Sequence, residues 1–241
     1  MFVKVIDEIN VPDQLLNEKL AKEFTKDLNE FCRTKNDNYN NKHLFTPSSV
    51  GSCARCLYFK AKDFPEDVKK KVQPYSIRRL DMGTYMHLRT EHYLHAMTES
   101  QFQCVVTEVS KTCEGFTDLG GTIDGILTRD REKYIFEYKT INDYEFKNLV
   151  EPLAKHIEQA TAYSLIFGIK KALFLYEKFE KTSNQDIKVF VVTVTEEMRQ
   201  DMLNRLSKIK ANIEEEVMPP KDMGRCKHSY CRHKEQCSLY S

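Results

Sequence analysis

Apolar residues recur at helical spacing early in the chain. Leu15, Leu16, Leu20, Phe24, Leu28 and Phe31 predict a helix over residues 13–35, with Asp13 after Pro12 as its cap. The polar, Asn-rich stretch from Asn36 to Lys42 predicts a loop. Thr46-Pro47-Ser48-Ser49 predicts a helix entry capped by Ser48 or Ser49. The basic segment through Pro74 reads as a connection, and Ile77 to Met97 as a long helix carrying Leu80, Tyr85, Leu88, His92 and His95. The pattern then becomes β-like. Cys104 to Ser110 is β-rich. Gly121 to Thr128 and Tyr134 to Thr140 predict two strands joined through Arg129–Lys133 as a hairpin. Residues 151–167 return to helical spacing. Leu173 to Tyr176 and Lys188 to Val194 predict two more strands. Thr195 opens a helix through Val217, which Pro219-Pro220 ends.

Composition narrows the class. The 241 residues suit one large domain or a domain with an accessory lobe, and a 41% apolar, 30% charged make-up is that of a globular chain. No apolar run approaches the length of a membrane-spanning helix, and the N-terminus lacks the apolar core of a signal peptide; a cytoplasmic protein with no membrane partner is expected. The net charge of +1 does not point to nucleic acid, so such a role needs local patches. Two occur. Residues 60–79 hold seven Lys or Arg against three acids, and residues 221–234 hold five against one. Tyr58, Phe59 and Tyr75 accompany the first patch, a mixture suited to a single-strand path, although an ordinary solvated face has the same composition.

Glu137-Tyr138-Lys139 falls on the second hairpin strand, where alternate residues share a face. Glu137 and Lys139 then point together, with Asp124 on the partner strand. Two carboxylates can hold a hard divalent cation, Mg2+ or Mn2+, which polarises a phosphate and acidifies water. The lysine adds positive charge beside the developing negative charge. An acid-x-Lys triplet alone decides little, since four occur, at Asp67, Glu137, Glu145 and Asp186. Only Glu137 follows a strand bearing an aspartate across a hairpin. His87 and Glu91 share a helix face, as do Gln159 and Tyr163, and each pair alone would pass as an ordinary helix pair.

Together these elements resemble the RecB-type branch of the PD-(D/E)xK nuclease superfamily. The shared features are Gly83-Thr84-Tyr85-Met86-His87, then Gly121-Thr122-Ile123-Asp124, then Glu137-Tyr138-Lys139, then Gln159-Ala160-Thr161-Ala162-Tyr163. The resemblance implies a restriction-endonuclease-like α/β core, a mixed central β-sheet flanked by helices. It implies that His87, Asp124, Glu137 and the main-chain carbonyl of Tyr138 bind the catalytic metal. Lys139 would be catalytic, with Gln159 and Tyr163 in support.

Cys226, Cys231 and Cys237 crowd the C-terminus, while Cys53 and Cys56 lie far upstream. In a chain not destined for secretion, a thiolate metal site is a better reading than a disulfide framework. Three thiolates close in sequence lack one ligand for a four-thiolate site, and Cys53 or Cys56 can complete it. The segment Ser52-Cys53-Ala54-Arg55 resembles the iron–sulfur members of the same branch, whose first cysteine precedes Pro-Arg; Ala54 replaces that proline. This implies a four-iron four-sulfur cluster on Cys53, Cys226, Cys231 and Cys237, within a helical lobe joining the N- and C-terminal segments. Four residues separate Cys226 from Cys231 where the family often has two, which keeps zinc as the alternative.

The expected organisation is an N-terminal helical region (1–82), a nuclease core (83–217) and a C-terminal cysteine tail (218–241). The expected activity is exonuclease action on single-stranded DNA, 5′-to-3′ by resemblance, in recombination, repair or CRISPR-type processing, with room for a DNA-processing protein partner. No Gly-x-x-x-x-Gly-Lys-[Ser/Thr] phosphate loop is present, so the chain does not read as a self-contained helicase–nuclease. The competing readings are a binding or assembly module without turnover and a restriction-type endonuclease.

Overall fold

A computed structural model describes residues 18–34, 42–67, 73–179, 185–226 and 231–240. The expected cap at Asp13, most of the Asn-rich loop and Lys69–Lys71 of the basic segment lie outside the described residues.

The chain divides into two compact units: residues 1–38 with 70–81, and residues 39–69 with 82–241. The described part of the smaller unit comprises α1 (Glu18–Thr34) and the first turns of α3 (Pro74–Ala96). Within it, Arg78 donates to Asn29 Oδ1 at 2.9 Å. Pro74 opens α3 three residues earlier than its apolar spacing predicts, because proline suits the first helical position.

The larger unit holds the expected mixed sheet flanked by helices. Its strands are β1 (Gln103–Thr112), β2 (Gly120–Arg129), β3 (Glu132–Ile141), β4 (Lys171–Lys178) and β5 (Ile187–Thr193), in spatial order β1-β2-β3-β4-β5. Neighbours are antiparallel except β3 and β4, which run parallel. A parallel pair requires a crossover. It is made by α4 (Asp143–Asn148) and α5 (Ala154–Phe167). The remaining helices are α2 (Ala54–Ala61), α6 (Glu196–Glu214) and α7 (Lys234–Leu239).

Three boundaries depart from expectation for local reasons. The β2–β3 hairpin closes through Asp130 and Arg131, both at positive φ, rather than through a five-residue link; two left-handed residues match the strands' own twist. Ser49 does not cap a helix. Its hydroxyl accepts from Thr46 N at 2.9 Å and donates to Thr46 O at 3.0 Å, closing a turn, and α2 starts only after Cys53. Helix α4 went unpredicted although its capping pair is present: Asn142 accepts from Glu145 N, and its amide reaches the Glu145 carboxylate.

β3 divides its side chains between two apolar clusters. Ile135 and Ile141 join the main core with Phe174, Tyr176, Ala160, Ile166 and Leu206. Tyr134, Phe136 and Tyr138 face the other way, packing with Met86 of α3 and Leu127. Glu137 and Lys139 therefore interrupt the apolar row on the main-core side.

Candidate active site

The β2–β3 ladder runs from the turn as far as Gly125 and Phe136. Beyond that pair, Asp124 Oδ2 accepts from the main-chain N of Tyr138 at 2.8 Å. A side-chain carboxylate thus takes a main-chain amide just past the last β2–β3 pair. Gly121, three residues before Asp124, has Pro47 where a β-carbon would sit, so the glycine of this motif permits a close approach.

Glu137 is 1% exposed. Its Oε1 is in ion-pair contact with Lys139 Nζ, yet neither carboxylate oxygen finds a hydrogen bond of acceptable geometry among the described residues. Burial pushes its carboxyl up to about 8, and the nearby Asp124 charge adds to this against the pull of Lys139. A buried acid paired with a single lysine beside a second carboxylate fits a site for a divalent cation.

His87, from α3, brings Nδ1 to 3.7 Å from Asp124 Oδ2. Burial holds its pKa below the ordinary value despite Asp124, favouring the neutral imidazole that ligates metals. Ligand atoms of His87, Asp124 and Glu108 all lie within 4.8 Å of one another. Glu108 was not singled out in the sequence. It lies on β1 between Thr107 and Val109, whose partners are Gly125 and Ile123, so it faces Asp124 across the strand pair. Its backbone adopts φ 51, a left-handed conformation uncommon for a non-glycine residue, and the β1–β2 pairing passes over it. Burial first, then the Asp124 and Glu91 charges, raise its pKa. Nothing local separates Glu108 from other strand acids; only strand register identifies it. Glu91 contacts Thr107 Oγ1 and lines a narrow cleft with Asp124.

The helical pair from α5 lies close by but faces the protein. Tyr163 donates to the carbonyl of Thr122 at 2.6 Å, and Gln159 Nε2 donates to the Tyr163 hydroxyl at 3.4 Å. Both therefore brace the strand that carries Asp124. A second brace escaped the sequence reading: His156 Nδ1 lies 2.7 Å from the hydroxyl of Tyr176, which also accepts from Leu153 N. Tyr176 is the register partner of Lys139 on β4.

The sequence model of the PD-(D/E)XK nuclease superfamily matches residues 52–238, a span containing all of these groups. The chain belongs to that superfamily. Solved structures with a similar fold include the protein solved as SSO0001, at 15% identity and TM-score 0.51, over 92% of this chain and 97% of that one. The alkaline exonuclease LHK-Exo from Laribacter hongkongensis aligns at 14% identity and TM-score 0.52, over 82% and 94%. The same exonuclease in complex with dAMP gives TM-score 0.53 at 14% identity, over 81% and 94%. No curated protein matches the sequence. As a PD-(D/E)XK member, the chain is a nuclease of a metal-dependent kind; among the described residues the narrow cleft at Asp124 is lined by His87, Glu91, Glu108 and Tyr138, and neither Glu137 nor Lys139 is on its wall.

The cysteines gather on the α2 side of this superfamily member. Cys53 precedes α2 and Cys56 lies within it, with Cys56 Sγ 3.3 Å from Cys231 Sγ. A hydrogen bond from Cys56 lowers the Cys53 thiol to about 5, whereas burial and neighbouring cysteine charges raise that of Cys226. Cys237 is buried in a cluster with Tyr58 and Phe59. Arg55 ties α2 to the C-terminal segment, donating to Pro219 O at 3.0 Å and Tyr240 O at 3.2 Å and touching Cys237 Sγ at 3.7 Å. Asp67 accepts from Lys234 N and Glu235 N at the start of α7. A cavity of about 580 Å³ opens beside Cys53, Cys56 and Cys231, with Lys60, Lys155 and Arg232 on its wall. No helix among the described residues is long and apolar enough to cross a membrane.

Proposed function

We propose that this nuclease hydrolyses phosphodiester bonds in single-stranded DNA from a free end, 5′-to-3′, using Mg2+ or Mn2+. One observation carries the reading: the buried carboxylate of Glu137 lies against Lys139 and within electrostatic reach of Asp124. His87, Asp124, Glu137 and the Tyr138 carbonyl are assigned to the cation, and Glu108 joins them on geometric grounds. When bound, the cation polarises the scissile phosphate and acidifies water. Lys139 orients the attacking water and offsets developing negative charge on the phosphorus oxygens. Asp124 is fixed by the Tyr138 amide. Gln159 and Tyr163 hold the Asp124 strand in register.

The end preference is supported by the likeness to a fold solved as an alkaline exonuclease, and the 5′-to-3′ polarity rests on the resemblance to the RecB-type branch alone. Purified protein with Mn2+ should degrade end-labelled linear single strands and spare closed circular ones. Release of label first from the 3′ end would overturn the polarity, and nicking of circles would favour the endonuclease reading. Absence of cleavage under both metals would favour a binding module.

We further propose a four-iron four-sulfur cluster on Cys53, Cys226, Cys231 and Cys237. The donor set suits a soft metal centre, and such a centre would clasp the two ends of the nuclease region. Cys56 competes for the place of Cys53, because its sulfur is the one in contact with Cys231. We retain an N-terminal helical region (1–82) holding the first cluster cysteine, a nuclease core (83–217) and a C-terminal tail (218–241) that completes the cluster lobe. Recombination, repair or CRISPR-type processing alongside a DNA-processing partner is the matching cellular role. A brown, iron-containing preparation is expected; a colourless protein with one zinc would overturn the cluster.

A further inference from the structure

Behind the cleft, on the α3 side of the sheet, lies a buried polar group with no part in the chemistry so far described. Glu177 of β4 is 4% exposed and Tyr138 only 1%. The Tyr138 hydroxyl donates to Glu177 Oε2 at 2.6 Å. Arg89 of α3 pairs with the same oxygen and reaches the Tyr138 hydroxyl at 3.5 Å. A carboxylate kept this far from water is stable only with such partners, and each partner is held by it in turn.

Tyr138 links this group directly to the cation ligands. Its main-chain N holds Asp124 Oδ2. Its ring meets the imidazole of His87 edge-on, with centroids 4.8 Å apart. Arg89 stands two residues beyond His87 on the same helix, so its pairing with β4 sets the depth at which α3 offers His87 to the cleft. We propose that Glu177 and Arg89, acting through Tyr138, are positioning residues for the cation site: they fix His87 and Asp124 at the spacing that a divalent ion requires. The inference rests on the cation reading above. It assigns to two side chains outside the cleft a control over metal affinity, a role that outer partners of metal ligands commonly have.

The test is direct Mn2+ binding by the full-length protein, followed by calorimetry and by the loss of the free-ion resonance, beside a Mn2+ titration of cleavage. Glu177→Gln, Arg89→Ala and Tyr138→Phe are each expected to weaken Mn2+ binding by roughly tenfold or more. Cleavage by Glu177→Gln and Arg89→Ala at saturating Mn2+ should return to within about threefold of wild type, and Arg89→Lys should recover part of the loss. Tyr138→Phe removes only the hydroxyl, so a folding failure of Glu177→Gln leaves the question answerable. Unchanged Mn2+ affinity in Arg89→Ala and Tyr138→Phe, while His87→Ala loses it, would overturn the proposal. A wild-type protein that neither binds Mn2+ nor cleaves would instead overturn the cation reading itself.

Discussion

The main-chain amide of Tyr138 donates to Asp124 Oδ2 at 2.8 Å, so the strand carrying Glu137 and Lys139 also orients the carboxylate on its neighbour. The carboxylates and the lysine are thereby fixed by adjacent backbone rather than by mobile loops. Catalytic groups on regular elements are held to tighter tolerances than groups on loops.

Lys139 is the group whose loss should affect the reaction and little else. Its side chain is 21% exposed and pairs with Glu137. Lys139→Ala is expected to lower cleavage at least about 100-fold, the scale of losing one preorganised charge. Circular dichroism and cysteine-centre absorption should stay unchanged. Retained activity would remove Lys139 from the mechanism.

Glu137 gives a pH signature when wild type is compared with Glu137→Gln. The carboxyl ordinarily titrates near 4.5 and in the metal-free fold near 8. Between these values the unfolded chain has released the proton while the folded chain keeps it, so stability falls as pH rises and levels off above about 8. Cys53, lowered to about 5, acts in the opposite sense but is common to both proteins. The wild-type Tm should therefore drop relative to the variant from pH 6.5 to about 8. Added Mn2+ should raise the wild-type Tm most at the upper end of this window, since it binds the ionised form. Parallel Tm profiles would refute the buried-acid account.

Tyr163→Phe separates bracing from chemistry. It removes the donor to Thr122 O and the partner of Gln159. A stability loss of about 1 kcal/mol is expected in urea unfolding. Cleavage should fall through a shifted Asp124 strand, with Mn2+ dependence displaced toward higher concentration. Normal stability with abolished turnover would instead place the hydroxyl in direct contact with the substrate.

The cysteine centre makes its own prediction. Cys53→Ser should lose iron and colour and lower the Tm, because the link between α2 and the C-terminal segment is weakened. Cys56→Ser should keep iron. The reverse result would exchange the two ligands, in line with the Cys56–Cys231 contact.

Much of this nuclease is written locally. Periodicity gave the order of helices and strands, since a half-buried strand or a helix with one apolar face needs only its own residues to declare itself. Four motif elements identified His87, Asp124, Glu137, Lys139, Gln159 and Tyr163, because their chemistry and spacing are properties of short segments. Tertiary structure alone decided what depends on pairing. Glu108 enters the cleft because β1 and β2 register it against Asp124. Tyr163 points at Thr122 O because α5 packs over β2. Glu177 and Arg89 meet Tyr138 because the crossover makes β4 the parallel neighbour of β3. Each of these contacts joins residues far apart in sequence. Register and packing, set by the burial of the whole sheet, bring them together, and no local pattern encodes that alignment.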